Sequence, residues 1–499
     1  MQLIHELEQY PDLERIFSLV QDWEDSVFLD SSLENDLGRY SIIALHPYLK
    51  LVKAEKFTVN GQVLEESFED YIKMYLREHR EENCTSLPLT SGAVGYFSYE
   101  YGRKKEGVGT RHRAEAKIPD AILIFYDSFV IEDKRQKKLF LISNGHGRDC
   151  DEELEELLGL VRQAAGQEAT DEVFAMKRFS KNAPGMLVAD SSAGQGEPGE
   201  VRANFTKEAY LTAVQRMIEY IIEGDIYIAN MTQQLRITSP VPPYEMFRRL
   251  RRNNPSPFGG YFNYGSFQVV CASPERFLQV RGGRVETRPI KGTRKRGSTP
   301  KEDAFLRREL EQSKKDKSEL LMIVDLERND LNRVCVPGSV RVTELFAVEE
   351  YATVFHLISN IVGELGPEMT VMDLLEAAFP GGSITGAPKL RAMEIIDELE
   401  HSGRNLYTGS MGYLSLDGDC DFNIVIRTAL CQDGIYYLGV GGGITCESEP
   451  EFEYEETLQK ARALLEALNV GEQEIAADVP GVEVAKLGAG ADFNGTNTK

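Results

Sequence analysis

Two adjacent glycines, Gly282 and Gly283, constrain the fold of this chain most, because a two-residue glycine turn between strand-like segments closes a hairpin. A turn centred there pairs Arg281 with Arg284, Gln279 with Glu286, Phe277 with Arg288 and Glu275 with Ile290. Lys291 is the next residue along. In an unbroken ladder the pleat sends it to the face opposite Glu275, so a site shared by the two requires a bulge or a break. Pro289, which has no N–H, and Gly292 are the residues placed to cause one. The hairpin thus brings a carboxyl and an amine to one open end. An isolated lysine followed by Arg294, Lys295 and Arg296 is ordinarily a solvated surface group, so its chemistry depends on what surrounds it.

The chain has 499 residues, enough for one large domain or two ordinary ones. Within residues 1–182, strand-like pieces at 27–30, 48–52, 121–131 and 138–142 alternate with helical ones at 68–80 and 151–165, a mixed α and β pattern. The stretch 183–203, rich in Gly, Ser, Ala and Pro, reads as a flexible linker, and a helix over 205–224 opens a second region, 204–470. The Gly/Ala/Asp-rich tail 471–499 is expected to be disordered. With 56 basic and 80 acidic residues the formal charge is −24, which disfavours nucleic acid and anionic membrane surfaces as partners. An anionic substrate then needs a local cationic pocket. The seven cysteines are odd in number and never spaced as CxxC, which points to reduced thiols. A secretory leader and a run of about 20 apolar residues are both missing, so a cytoplasmic location is expected.

Several strings in fixed order carry a more specific signal. They are GDIYIANMTQ (224–233), ASPERF (272–277), RPIKGTR (288–294), KSELLMIVDLERND (317–330), FPGGSITGAPKLRAMEIIDELE (379–400), IRTA (426–429), GVGGGIT (439–445) and EYEETLQKA (453–461). Together they resemble the chorismate-utilising enzymes, the family that holds anthranilate synthase component I, aminodeoxychorismate synthase component I, isochorismate synthase and salicylate synthase. The resemblance implies an α/β fold of the α+β type, with two antiparallel sheets packed roughly orthogonally and helices outside. Lys291 matches the aminodeoxychorismate branch, whereas anthranilate synthases usually carry Ala there, and the string 379–386 points the same way. An anthranilate synthase component I and a catalytically inactive chorismate-binding relative are the alternatives.

The resemblance also implies roles. Lys291, Glu275 and His356 are expected to be catalytic, as nucleophile, proton donor and orienting group. Gly292, Thr293, Ser383, Thr385, Tyr407, Arg427, Gly441, Gly442, Gly443 and Lys460 are expected to bind substrate, Arg427 through the planar fork that suits a carboxylate. Glu319, Glu456 and Glu453 are expected around Mg²⁺, for which oxygen ligands are apt. Glu453, Glu456 and Lys460 fall on one side of a helix. A tryptophan pocket is expected at Ser31, Gly38, Arg39, Tyr40, Ser41, Pro257, Phe258 and Gly259, although such residues also mark ordinary polar turns.

The implied reaction is attack of neutral Lys291 on chorismate, then displacement by ammonia to give 4-amino-4-deoxychorismate, on the route to 4-aminobenzoate and folate. Where isochorismate and salicylate synthases carry a water-activating Lys, this chain has Ile228, which disfavours addition of water. No cysteine stands in a Gly-x-Cys-x-Gly elbow, so ammonia is expected from a separate glutamine amidotransferase subunit, component II.

Overall fold

Two long antiparallel strands, Tyr40–Lys53 and Ala121–Asp133, organise the molecule in the computed structural model, which describes residues 2–33, 35, 37–178, 200–351, 354–470 and 475–477. Their register slips between Pro47 and Leu49, and His46 beside the slip has φ +58°. Such a bulge lets a strand pass from one sheet into another. Toward Tyr40 and Asp133 the pair continues outward through Lys138–Ser143 to Leu3–Leu7. On its other edge it continues through Val27–Asp30, Phe258–Asn263, Gln268–Ser273, Thr428–Gln432 and Ile435–Ile444 to Ile228–Thr238. Beyond the slip, Gly92–Phe97 leads through Ser410–Ser415, Cys420–Ile424, Arg276–Arg281 and Arg284–Thr287 to Val354–Glu364. The mixed α/β architecture with antiparallel sheets is the expected one. The two sheets share their long strands, so among the described residues hydrogen bonds link 23 strands into one network.

Helices close the faces. Thr206 caps the helix Lys207–Glu223, accepting from Ala209 N at 3.1 Å, and Gly224 ends it at φ +89°, a left-handed turn that glycine takes without strain. Its buried Tyr210, Val214 and Met217 pack with Ile395 and Ile396 of the helix Lys389–Leu399. The helices Lys314–Asn332 and Pro450–Ala467 each turn glutamates inward: Glu319 is 7 % and Glu453 2 % exposed.

The division of sequence at the linker is not a division in space. Strands from both sides alternate, Val27–Asp30 with Phe258–Asn263 and Gly92–Phe97 with Ser410–Ser415. Most of the expected linker, 183–199, lies outside the described residues, and its end, Val201–Ala203, is a strand on Leu235–Ile237. Within the tail, Ile475–Ala477 departs from the expectation of disorder by pairing in parallel with Val201–Ala203. An open strand edge supplies partners that composition does not reveal. The rest of the tail lies outside the described residues.

Candidate active site

At its turn the hairpin has the expected register, Arg281 opposite Arg284 and Gln279 opposite Glu286. The expected pairings Phe277–Arg288 and Glu275–Ile290 do not form: beyond Gln279–Glu286 the two strands part, and each stays paired on its outer edge. Arg276–Arg281 follows Cys420–Ile424, with Glu275 O accepting from Ile424 N at 3.0 Å. Ile290–Lys295 follows Val354–Glu364 instead. The bulge falls at Gly292, where register shifts between Lys291 and Thr293 and φ is +74°. A Cβ there would stand 2.7 Å from Asp316 Cγ.

A second register shift, between Arg276 and Leu278, reverses the alternation next to Glu275 and lets Lys291 and Glu275 share a site. Lys291 Nζ donates to the Ser383 carbonyl at 3.0 Å, in the short turn Gly382–Ile384. Glu275 is 7 % exposed, and burial holds its carboxyl above the usual range against the pull of Lys291, the Ser383 hydroxyl and the Ile290 N–H. A carboxyl with a raised pKa beside an amine is the pairing that acid-assisted nucleophilic attack requires.

Gly441, Gly442 and Gly443 pair with Thr232, Met231 and Asn230 and form the floor beneath this pair. A Cβ on Gly443 would lie 3.6 Å from Ile228 Cδ1 and 3.8 Å from both Lys291 Nζ and Glu319 Oε2. One on Gly442 would lie 3.2 Å from Glu453 Oε2, 3.6 Å from Lys460 Nζ and 3.7 Å from Glu456 Oε2. Gly441 presents its carbonyl, which accepts from Lys460 Nζ at 2.7 Å. Burial pushes Glu319 up to about 7 and raises Glu453, whose Oε1 accepts from the Ser448 hydroxyl at 2.7 Å. Burial would raise Glu456 too, but Lys460 at 2.8 Å and the more distant Lys315 and Lys291 hold it below the usual range. Lys315 stands 3.5 Å from Glu453 and 4.0 Å from Glu319. Among the described residues no three acidic, His or Cys groups approach closely enough to hold an ion unaided. Carboxylates from two helices facing one floor suit a hard cation that keeps water or substrate oxygens in its shell.

Arg427 has φ +49° and is half-buried, and desolvation lowers its pKa with no carboxylate among the described residues to offset the effect. A desolvated guanidinium in that state is a ready receptor for a ligand carboxylate. Burial, and then the charge of Arg427, push His356 down to about 4, and its Nδ1 meets Thr293 Oγ1 at 2.9 Å. The imidazole is therefore neutral near pH 7, suited to orienting a hydroxyl rather than to holding a spare proton. The Tyr407 ring lies on Gly439, where a Cβ would come within 2.0 Å. Thr385 is fully buried and its hydroxyl donates to Gly381 O at 2.8 Å, so it braces the turn from behind.

The chorismate binding enzyme family model matches residues 31–466. This chain belongs to that family. The curated relatives include anthranilate synthase component 1 of Cereibacter sphaeroides, 37% identical over 456 residues and covering 89% of each chain. Aminodeoxychorismate synthase component 1 of Bacillus subtilis is 35% identical over 468 residues, 93% of this chain and 95% of that one. The Klebsiella aerogenes protein of the same name is 38% identical over 442 residues, 87% of this chain and 91% of that one. Among solved structures, anthranilate synthase component I from Streptococcus pneumoniae superposes with a TM-score of 0.72 at 30% identity, covering 87% of this chain and 93% of that one. Identity alone does not separate the two activities, so the separation must come from individual residues.

This chorismate-binding enzyme has a second cavity of about 520 Å³, bounded by Ser31, Arg39, Tyr40, Pro257, Phe258 and Gly259 of the expected tryptophan pocket. Gly38 and Ser41 serve its frame. Gly38 N donates to Asn35 Oδ1 at 2.7 Å, and Ser41 Oγ lies 3.2 Å from both Asp30 Oδ1 and Ser31 N. Sequence reasoning missed Arg276, which lines this cavity and holds Asp421 through two contacts of 2.9 Å. Its adjacency to Glu275 is the available signal, since neighbours on a strand face opposite sides. It also missed the buried pair Glu400 and Arg404. No helix among the described residues is long and apolar enough to cross a membrane.

Proposed function

We propose that the chain is an aminodeoxychorismate synthase component I, which converts chorismate and ammonia to 4-amino-4-deoxychorismate and water. The observation that carries this reading is the amine of Lys291, facing Ser383 and the glycine floor within the electrostatic reach of Glu275, whose carboxyl burial raises. Lys291 Nζ attacks C2 of the ring through its lone pair, the double bonds shift, and the C4 hydroxyl leaves as water with a proton from Glu275. Ammonia then attacks C4, the double bonds shift back, and the C2–N bond breaks to return the lysine. Arg427 and Tyr407 receive the enolpyruvyl carboxylate, while Gly441, Gly442, Gly443, Gly292 and Thr293 let backbone approach the ring. His356 orients the leaving hydroxyl from its bond to Thr293. Glu319 and Glu456, with Glu453 behind them, would hold Mg²⁺, which when bound supplies positive charge for the ring carboxylate. Lys460 balances Glu456 and Gly441. Ile228, 2 % exposed beside Lys291, offers no base to activate water.

Ammonia comes from a glutamine amidotransferase subunit, and the second cavity is assigned to tryptophan. The rival reading is anthranilate synthase component I, favoured by relatives of that name at equal identity. Incubation with chorismate, Mg²⁺ and ammonium separates them. The proposal expects no fluorescent anthranilate, and 4-aminobenzoate only after a pyruvate-releasing lyase is added. Anthranilate as product would overturn it, and chorismate bound but unconsumed would mark an inactive relative.

A further inference from the structure

The geometry points to Arg404 as a positioning residue of this active site, a single buried guanidinium that fixes two backbone segments and the Glu400 carboxylate behind the groups of the proposed chemistry. The inference rests on the reading given above. Arg404 and Glu400 are 4 % and 2 % exposed. Arg404 donates through NH2 to Asn230 O at 2.6 Å, through NH1 to Ile384 O at 2.7 Å, and through Nε to Glu400 Oε2 at 3.0 Å. Its own carbonyl accepts from Tyr407 N at 3.1 Å. Glu400 Oε1 meanwhile accepts from Thr232 N at 2.9 Å and from the Thr232 hydroxyl at 2.8 Å.

Each anchored atom is next to the site. Asn230 pairs with Gly443 and Thr232 with Gly441, so Arg404 and Glu400 together set the height of the glycine floor. Ile384 follows Ser383, whose carbonyl holds Lys291. The main chain of Arg404 itself opens the turn that lays Tyr407 on Gly439. A fixed planar fork can hold two carbonyls and a carboxylate in three directions at once, which the single ammonium of a lysine cannot. Burying such a charge is costly unless every donor is engaged, so its retention here gains definition of geometry rather than stability. The Tyr99 ring, 4.8 Å from the guanidinium carbon, covers it further.

The test uses the full chain carrying Arg404→Lys, Arg404→Met, Arg404→Ala and Glu400→Gln, with Lys50→Met as a control. The control removes an ion pair, Lys50 with Asp25 at 2.7 Å, that belongs to neither site. Displacement of reacting groups by about 1 Å costs on the order of 10²-fold in rate. Folded Arg404→Lys and Arg404→Met should therefore lose about 10²-fold in kcat with little change in KM, and the control should lose nothing. Methylguanidinium should restore activity to Arg404→Ala and not to Arg404→Met, which fills the space. If Arg404→Met does not fold, Arg404→Lys carries the test. Wild-type kcat in a folded Arg404 variant, or a loss that only tracks the folded fraction and resists rescue, would overturn the inference. A wild-type chain that consumes no chorismate would remove the functional reading and this inference together, whereas an active wild type matched by Arg404→Lys removes the inference alone.

Discussion

Three buried titratable groups set how this molecule responds to pH. Burial raises Glu275 above the usual carboxylate range against the pull of Lys291. Glu275→Gln preserves the shape without the transferable proton, and should lower kcat by about 10²- to 10⁴-fold in steady-state assays while leaving the melting temperature near wild type. His356 lies at about 4 instead of 6.5, so between those values the unfolded chain binds a proton that the folded one refuses. Its contribution is therefore fully lost only below about pH 4 and returns as pH rises to 6.5. Urea titrations should show His356→Asn with a shallower loss of stability over that window. Glu327 has the opposite sign. Burial pushes it up to about 8 from 4.5 beside the Thr287 hydroxyl at 3.0 Å, so the folded chain keeps a proton that the unfolded chain releases. Stability falls as pH rises between those values, and Glu327→Gln should flatten that fall in the same titrations.

Single elements show how little local chemistry separates a good site from a poor one. Gly292 must hold φ +74° against Asp316, and a side chain in that region costs about 1–3 kcal/mol. Gly292→Ala should lower the unfolding free energy by that order in denaturant titrations, and reduce turnover by moving Lys291 on its bulge. The turn at Gly282-Gly283 and the bulge at Gly292 were legible in the sequence because glycine marks backbone that other residues avoid. The helix Lys207–Glu223 was legible from its cap Thr206 and its terminator Gly224. The partners of the hairpin were not, since nothing local tells whether Ile290 will pair with Glu275 or with Ile358. Asp330, near the end of the helix Lys314–Asn332, is buried and paired with Lys389 at 2.7 Å, a contact that nothing local announces. Glu400 and Arg404 have the four-residue spacing of a surface ion pair, and only the Asn230 and Ile384 carbonyls and Thr232, brought to them from distant segments, make them a buried clamp.

At the scale of the whole molecule, the active site stands on strands that the N-terminal region braces. Phe258–Asn263 leans on Val27–Asp30, and Ser410–Ser415 on Gly92–Phe97. Residues 200–477 expressed alone should therefore lack a cooperative unfolding transition in circular dichroism, because two strand edges and their apolar faces lose their cover. A sharp transition in that fragment would show that the two regions fold independently. The central claim concerns the amine that this scaffold turns inward. Intact-mass measurement of the full chain with chorismate and Mg²⁺, without ammonium, tests it most directly. The predicted result is a gain equal to chorismate less one water, mapped to Lys291 and absent from Lys291→Ala. The same gain persisting in Lys291→Ala would contradict it.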